Sequence, residues 1–239
     1  MSSHGTENAN IIMKSMIWFL YDDPEKWMDQ RLFLRLAVDR GRCRVLKGRE
    51  SGCREGREGV QGANKDLAAL VRTIPDHPKP GILFRDISTL MLDGAAFRAT
   101  IDRLAALVEG HAFDMVAGIE ARGFVFASAL AYRLGLGVVM LRKPGKLPGA
   151  RIGVDYALEY GTDRIEMHED ACHSEHRVLL VDDLLATGGT ALAAAALLRE
   201  AGAAVEKALF VIDLPDLGGG DRLGSAGIEV GALMAFPGH

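Results

Sequence analysis

The sequence predicts an α/β protein built on a mainly parallel β-sheet flanked by helices. Three observations carry that expectation. Short apolar runs, Met115–Ile119, Val138–Leu141, Val178–Val181 and Val205–Ile212, recur after residue 64, each with the length and character of a strand buried on both faces. Segments of helical periodicity alternate with them, as parallel crossovers require. The run 178–192, Val-Leu-Leu-Val-Asp-Asp-Leu-Leu-Ala-Thr-Gly-Gly-Thr-Ala-Leu, passes from strand through an acidic pair and a glycine turn into an alanine-rich helix.

Taken in order, residues 11–38 carry aromatics and leucines with mixed charge, enough for one or two helices. From Arg40 to Arg57 the composition shifts to arginine and glycine, with seven Lys/Arg against two Glu. So short a tract without aromatics cannot bury a core. Residues 1–64 are therefore read as an N-terminal extension, disordered or loosely attached, and 65–239 as the folded domain. A nucleic-acid-binding arm is the competing reading of the basic tract; a start codon further downstream is another. Asp66–Thr73 reads as a short helix halted by Pro75, Pro78 and Pro80. Phe97–Val108 is helical, Met115–Ile119 a strand, Phe124–Arg133 a helix and Val138–Leu141 a strand. A long irregular stretch follows Arg142. Further strands are expected at Tyr156–Tyr160, Ile165–His168, Val178–Val181, Val205–Ile212 and Ile228–Phe236.

Composition narrows the setting. The chain has 239 residues, 49% of them hydrophobic, and a net charge of −4, which argues against nucleic acid or an anionic membrane as a partner. Its three cysteines, Cys43, Cys53 and Cys172, are too few and scattered for a disulfide framework, so a cytoplasmic location is expected. Met16–Leu20 is apolar but short, and runs into Tyr21-Asp22-Asp23-Pro24 without a cleavage site. No apolar run is long enough to span a bilayer.

The chemistry is concentrated at the strand ends. Gly188 and Gly189 let the backbone of Ala186–Thr190 curl until its N–H groups converge, and the Thr187 and Thr190 hydroxyls add donors at a helix N-terminus. That is a phosphate cradle. Asp182 and Asp183 beside it would repel an anion unless they meet hydroxyls or a cation, a need answered by a sugar phosphate with Mg²⁺. Gly118-Ile119-Glu120-Ala121-Arg122-Gly123 also follows a strand and opens a helix, and its arginine suits a diphosphate. Arg142-Lys143-Pro144-Gly145-Lys146-Leu147-Pro148-Gly149 is a basic loop of the kind that closes over an anion. In Pro80–Ile87, Phe84 offers a face on which a planar base can stack. Cys172-His173-Ser174-Glu175-His176 has metal-ligand residue types but no second cluster, and is read as a loop.

PGILFRDIS, GIEARGF, RKPGKLPG, LEYGTD and VDDLLATGGT occur in the order found in the adenine phosphoribosyltransferase family, and from about Lys65 to the C-terminus the chain resembles that family of type I phosphoribosyltransferases. The resemblance implies the type I fold with a flexible catalytic lid loop, and makes 65–239 the catalytic domain. It implies AMP and diphosphate formation from adenine and 5-phospho-α-D-ribose 1-diphosphate (PRPP) in purine salvage, with Mg²⁺ and inversion at C1′. Adenine binding then falls on Leu83, Phe84 and Arg85, and catalysis on Glu159, next to Tyr160. PRPP falls on Asp182, Asp183, Ala186, Thr187, Gly188, Gly189 and Thr190, with no direct protein metal ligand and Mg²⁺ reached through water near the two aspartates. The diphosphate falls on Glu120, Ala121, Arg122, Arg142, Lys143 and Lys146, and the family's non-proline cis peptide on Glu120–Ala121. A homodimer is implied, with some lid contacts crossing the interface. Two alternatives stay open: a transferase for another purine base, and a PRPP-responsive regulator with an N-terminal nucleic-acid-binding arm.

Overall fold

A computed structural model describes residues 64–158 and 161–237. Its centre is a five-stranded, wholly parallel sheet of β3 (Met115–Ile119), β4 (Gly137–Leu141), β7 (Arg177–Leu185), β8 (Ala204–Asp213) and β9 (Glu229–Ala235), in the order β4-β3-β7-β8-β9. Two antiparallel pairs accompany it: β1 (Arg72–Pro75) with β2 (Leu83–Asp86), and β5 (Arg151–Leu158) with β6 (Gly161–His168). The helices are α1 (Lys65–Ala68), α2 (Ser88–Leu92), α3 (Gly94–Ala106), α4 (Gly123–Leu134), α5 (Gly189–Glu200) and α6 (Gly219–Ser225). Among the described residues no helix is long and apolar enough to cross a membrane.

Strand alternation divides the core in two. Ala117, Ile119, Val139, Leu141, Leu180 and Phe210 face α5 and the β5–β6 hairpin, while Val116, Leu179, Val181 and Leu209 face α3 and α4. Both faces are covered, as the unbroken apolar runs require. Asp93 caps α3 through the N–H groups of Ala95 and Ala96, and Gly135 ends α4 in a left-handed conformation. Asn64 is tied to the domain, donating to the Leu233 carbonyl at 2.8 Å and accepting from Arg103 at 2.7 Å. Residues 1–63, and with them the expected extension, lie outside the described residues.

Three sequence expectations are corrected. The helix expected over Asp66–Thr73 stops at Ala68, and Thr73 belongs to β1, where it lies opposite Arg85 while Arg72 ion-pairs with Asp86. The long irregular stretch after Arg142 shrinks to residues 143–150, because Arg151–Leu158 pairs with β6 and packs Ile152, Val154 and Tyr156 against the core. Most consequentially, β7 does not end at Val181. Its ladder with β8 continues through Asp182 and Leu184 to Leu185, whereas its register with β3 runs only to Val181. The acidic pair therefore rides on a strand held from one side.

Candidate active site

Numbered by the central sheet alone, the strand order is 2-1-3-4-5, and direction of winding reverses between β3 and β7. Ligands of such sheets lie outside the carboxyl ends of the strands at that reversal. There β3 delivers Glu120-Ala121-Arg122, and β7 delivers Asp182, Asp183 and the Ala186–Thr190 turn. The Glu120–Ala121 peptide is cis, as expected. Close approach of the two segments depends on Gly123, where a Cβ would lie 2.6 Å from Asp182 Oδ1 and 3.2 Å from the Val181 carbonyl oxygen.

Arg122 joins the parts. Its Nε donates to Asp183 Oδ2 in a close ion pair, and its guanidinium carbon lies 5.9 Å from the centroid of the Phe84 ring. Burial works against the Arg122 charge, but the bond to Asp183 more than offsets it and raises its pKa. Asp182 stands in the opposite condition. Its carboxyl is pushed well above the ordinary aspartate range, first by burial and then by the neighbouring Asp183 charge. The Asp183 N–H donates to Asp182 Oδ1 at 2.8 Å.

The basic loop is moored from both sides. Glu120 accepts from Arg142 Nε at 3.3 Å and from the Lys143 N–H at 2.8 Å. Burial opposes the Glu120 charge; the Lys143 N–H and Arg142 outweigh it and lower its pKa. Arg142 also donates to the Lys146 carbonyl at 3.2 Å, while the Lys146 side chain is exposed. Lys143 Nζ ion-pairs with Asp163 and donates to the Tyr156 hydroxyl at 3.1 Å. Burial disfavours this ammonium too, yet Asp163 and Tyr156 hold its pKa above the usual lysine value. Thr190 Oγ1 reaches the same Tyr156 hydroxyl at 3.4 Å, linking the loop, the hairpin and the start of α5.

On β2, Leu83 is partly exposed and Phe84 stands edge-on to His77, centroids 5.1 Å apart. Arg85 does not point into solvent: it donates to Thr73 Oγ1 at 2.7 Å and to the Pro237 carbonyl at 3.1 Å, and lies 4.8 Å over the Phe236 ring. The structure thus brings Phe84, Arg122, Asp182, Asp183 and the Ala186–Thr190 turn to one place, with Glu120, Arg142 and Lys143 beside it. Glu159, with Tyr160, lies outside the described residues. Sequence reasoning missed Tyr156 and Asp163, which sit opposite one another in the β5–β6 register, and the glycine-rich start of α6 behind the phosphate turn.

Comparison with known proteins agrees with this geometry. The phosphoribosyl transferase domain model matches residues 91–218. An adenine phosphoribosyltransferase of Sphingopyxis alaskensis is 61% identical over 173 residues, covering 72% of this chain and 94% of that protein. One from Novosphingobium aromaticivorans is 60% identical, covering 73% and 98%. Among solved structures, adenine phosphoribosyltransferase of Thermoanaerobacter pseudethanolicus superposes with a TM-score of 0.69 at 46% identity, over 72% of this chain and 99% of that one. The Saccharomyces cerevisiae enzyme, complexed with an imino-altritol bisphosphate and adenine, gives 0.67 at 34% identity, over 71% and 97%. With its reversal-point site and its match to these proteins along nearly their whole length, the chain belongs to the adenine phosphoribosyltransferase family.

Proposed function

We propose that the chain transfers the phosphoribosyl group of PRPP to adenine, forming AMP and diphosphate in purine salvage. The observation that carries this reading is the place of Arg122, ion-paired to Asp183 and set against Phe84. A base platform, a diphosphate turn and a ribose-phosphate loop meet at that one side chain. The yeast relative, complexed with adenine and a bisphosphate imino sugar, supports the same division of the site.

Phe84 stacks the adenine, and Asp183 accepts from the ribose hydroxyls while the Ala186–Thr190 turn receives the 5′-phosphate. The Glu120 N–H is committed to the Leu141 carbonyl, so the diphosphate contacts of that turn fall to Ala121 and Arg122. Arg142, Lys143 and Lys146 supply cationic charge from the adjoining loop. Asp182 and Asp183 suit Mg²⁺ as hard oxygen donors; burial, and then the adjacent Asp183 charge, raise the Asp182 pKa. On the family resemblance the ion is held chiefly by PRPP and water near the two aspartates. Bound with PRPP, the ion would neutralise charge on the departing diphosphate. Glu159 is assigned to the adenine ring proton on the family resemblance. Attack opposite the diphosphate inverts C1′.

The test is AMP and diphosphate formation by the full chain given PRPP, Mg²⁺ and adenine, with hypoxanthine and guanine in parallel. Adenine-selective product, abolished by chelation, is expected. PRPP binding without turnover on any base would overturn the reading and favour the regulator.

The reading includes a homodimer in the cytoplasm. Its support is an apolar surface on α4 and the edge strand β4: Tyr132 is 90% exposed, with Val125, Val138 and Met140 between 40% and 46%. Exposed apolar residues along a sheet edge favour a self-complementary contact. Sedimentation of the purified chain as a monomer would refute it.

A further inference from the structure

Behind the phosphate turn stands α6, which no sequence motif had linked to the site. Its first residue packs directly on the turn: a Cβ on Gly219 would collide with the Ala186 carbonyl oxygen. Gly188 has φ of +79°, and a Cβ there would come within 3.1 Å of Gly219 Cα. One turn further along α6, Arg222 Nη1 donates to the Thr187 carbonyl at 2.8 Å. In a planar trans peptide the carbonyl and the following N–H point in opposite directions. Fixing the Thr187 carbonyl towards α6 therefore aims the Gly188 N–H away from it. Without that anchor the peptide, followed by two permissive glycines, is left to its packing on Gly219.

We propose that Arg222 is a positioning residue for the 5′-phosphate: through the Thr187 carbonyl it holds the Gly188 N–H in the phosphate-binding orientation. The inference rests on the reading that Ala186–Thr190 receives the 5′-phosphate of PRPP. Arg222 is exposed and makes no contact with the substrate in this scheme, so it sets affinity for one end of the ligand without entering the chemistry. It also explains why an arginine follows the Gly218-Gly219-Gly220 run: the glycines allow the close approach, and the guanidinium then reaches the turn.

The experiment uses Arg222→Met, which keeps the aliphatic stem but loses the donor, and Arg222→Lys, which keeps a cationic donor. Calorimetry on the full-length protein measures binding of three probes, PRPP, ribose 5-phosphate and inorganic diphosphate. Losing an exposed charge-assisted hydrogen bond should weaken PRPP and ribose 5-phosphate in Arg222→Met by about five- to tenfold. Diphosphate binding should not move, the melting temperature should fall by no more than about 2–4 °C for one lost hydrogen bond, kcat at saturating PRPP should be retained, and Arg222→Lys should recover most of the affinity. Unchanged PRPP and ribose 5-phosphate affinity in Arg222→Met overturns the inference. So does an equal loss for diphosphate, which would mark a general distortion. If the wild type binds diphosphate but neither phosphate-bearing sugar, the reading of the Ala186–Thr190 turn falls, and the inference with it.

Discussion

Replacing Gly123 by alanine tests whether helix α4 must lie hard against the acidic strand. The new Cβ would sit 2.6 Å from Asp182 Oδ1, 3.2 Å from the Val181 carbonyl oxygen and 3.3 Å from Asp182 Cα. Two of those three atoms are backbone of β7 and cannot yield alone. Either the Asp182 carboxyl turns away, giving up the 2.8 Å bond from the Asp183 N–H, or α4 lifts from the sheet. The first route forfeits about 1 kcal/mol of net hydrogen bonding; the second is overpacking of a close-packed interface, about 1–3 kcal/mol. For a folded unit of this size that is a fall in melting temperature of roughly 2–12 °C. The first route moves Asp182 and the second moves Arg122, the residue that caps the start of α4, so on the proposed reading PRPP affinity should fall either way. The assay pairs a thermal melt with PRPP calorimetry. A Gly123→Ala protein that melts within a degree of wild type and binds PRPP equally well would show that the close approach is immaterial.

Three further outcomes are expected. Asp182 has its pKa raised by burial and by Asp183, so the unfolded chain releases this proton first and rising pH draws the equilibrium towards unfolding. Its cost begins above the ordinary aspartate value and is complete above the raised one. Asp182→Asn should therefore raise the melting temperature more at pH 8 than at pH 4 while weakening PRPP binding, and an equal effect at both pH values would contradict the burial argument. Asp86 has the opposite sign: the Ser88 hydroxyl, then Arg72, lower its pKa from 3.8 to about 2, so its stabilisation is lost as pH falls through that window. Asp86→Asn should flatten the acid limb of a pH–stability profile there, and an unaltered limb would refute the assignment. Phe84→Ala removes a stacking face worth about 1–3 kcal/mol per base, so the adenine KM should rise about tenfold or more. PRPP affinity falling to the same extent would mean that Phe84 braces Arg122 rather than the base.

The central sheet was legible because its strands are buried on both faces and read as unbroken apolar runs such as Val178–Val181. The phosphate turn was legible because glycines and threonines at a strand–helix junction have a local geometric reason to be there. What escaped was decided by pairing distant in sequence. Thr73 looks like a helix end until β2 lies beside it, and the Arg72–Asp86 ion pair then favours the strand. Lys143 reads as a free lid cation, but its partner Asp163 lies on β6 and Tyr156 opposite it on β5. The length of β7 beyond Val181 depends on β8, which supplies a continuing ladder that no pattern within β7 announces. Gly219 and Arg222 escaped for the same reason: α6 has little apolar periodicity, and its relation to Thr187 exists only once β8 has turned the chain back.

On the proposed reading, PRPP binding exchanges charge partners that the free site already has. The Asp183 side chain is 10% exposed and Arg122 52%, so when the pair opens it is Arg122 that can swing out, while Asp183 stays where it is. A buried carboxylate stripped of its cation is costly, and the ligand must supply donors to Asp183 as it draws Arg122 away. PRPP carries both requirements on one molecule, hydroxyls for the aspartate and a diphosphate for the arginine. Diphosphate alone would take Arg122 and leave Asp183 uncompensated; ribose 5-phosphate alone would offer Asp183 hydroxyls but give Arg122 no new anion. The ion pair that links the two strands thus acts as a discriminator, favouring the complete substrate over either of its halves.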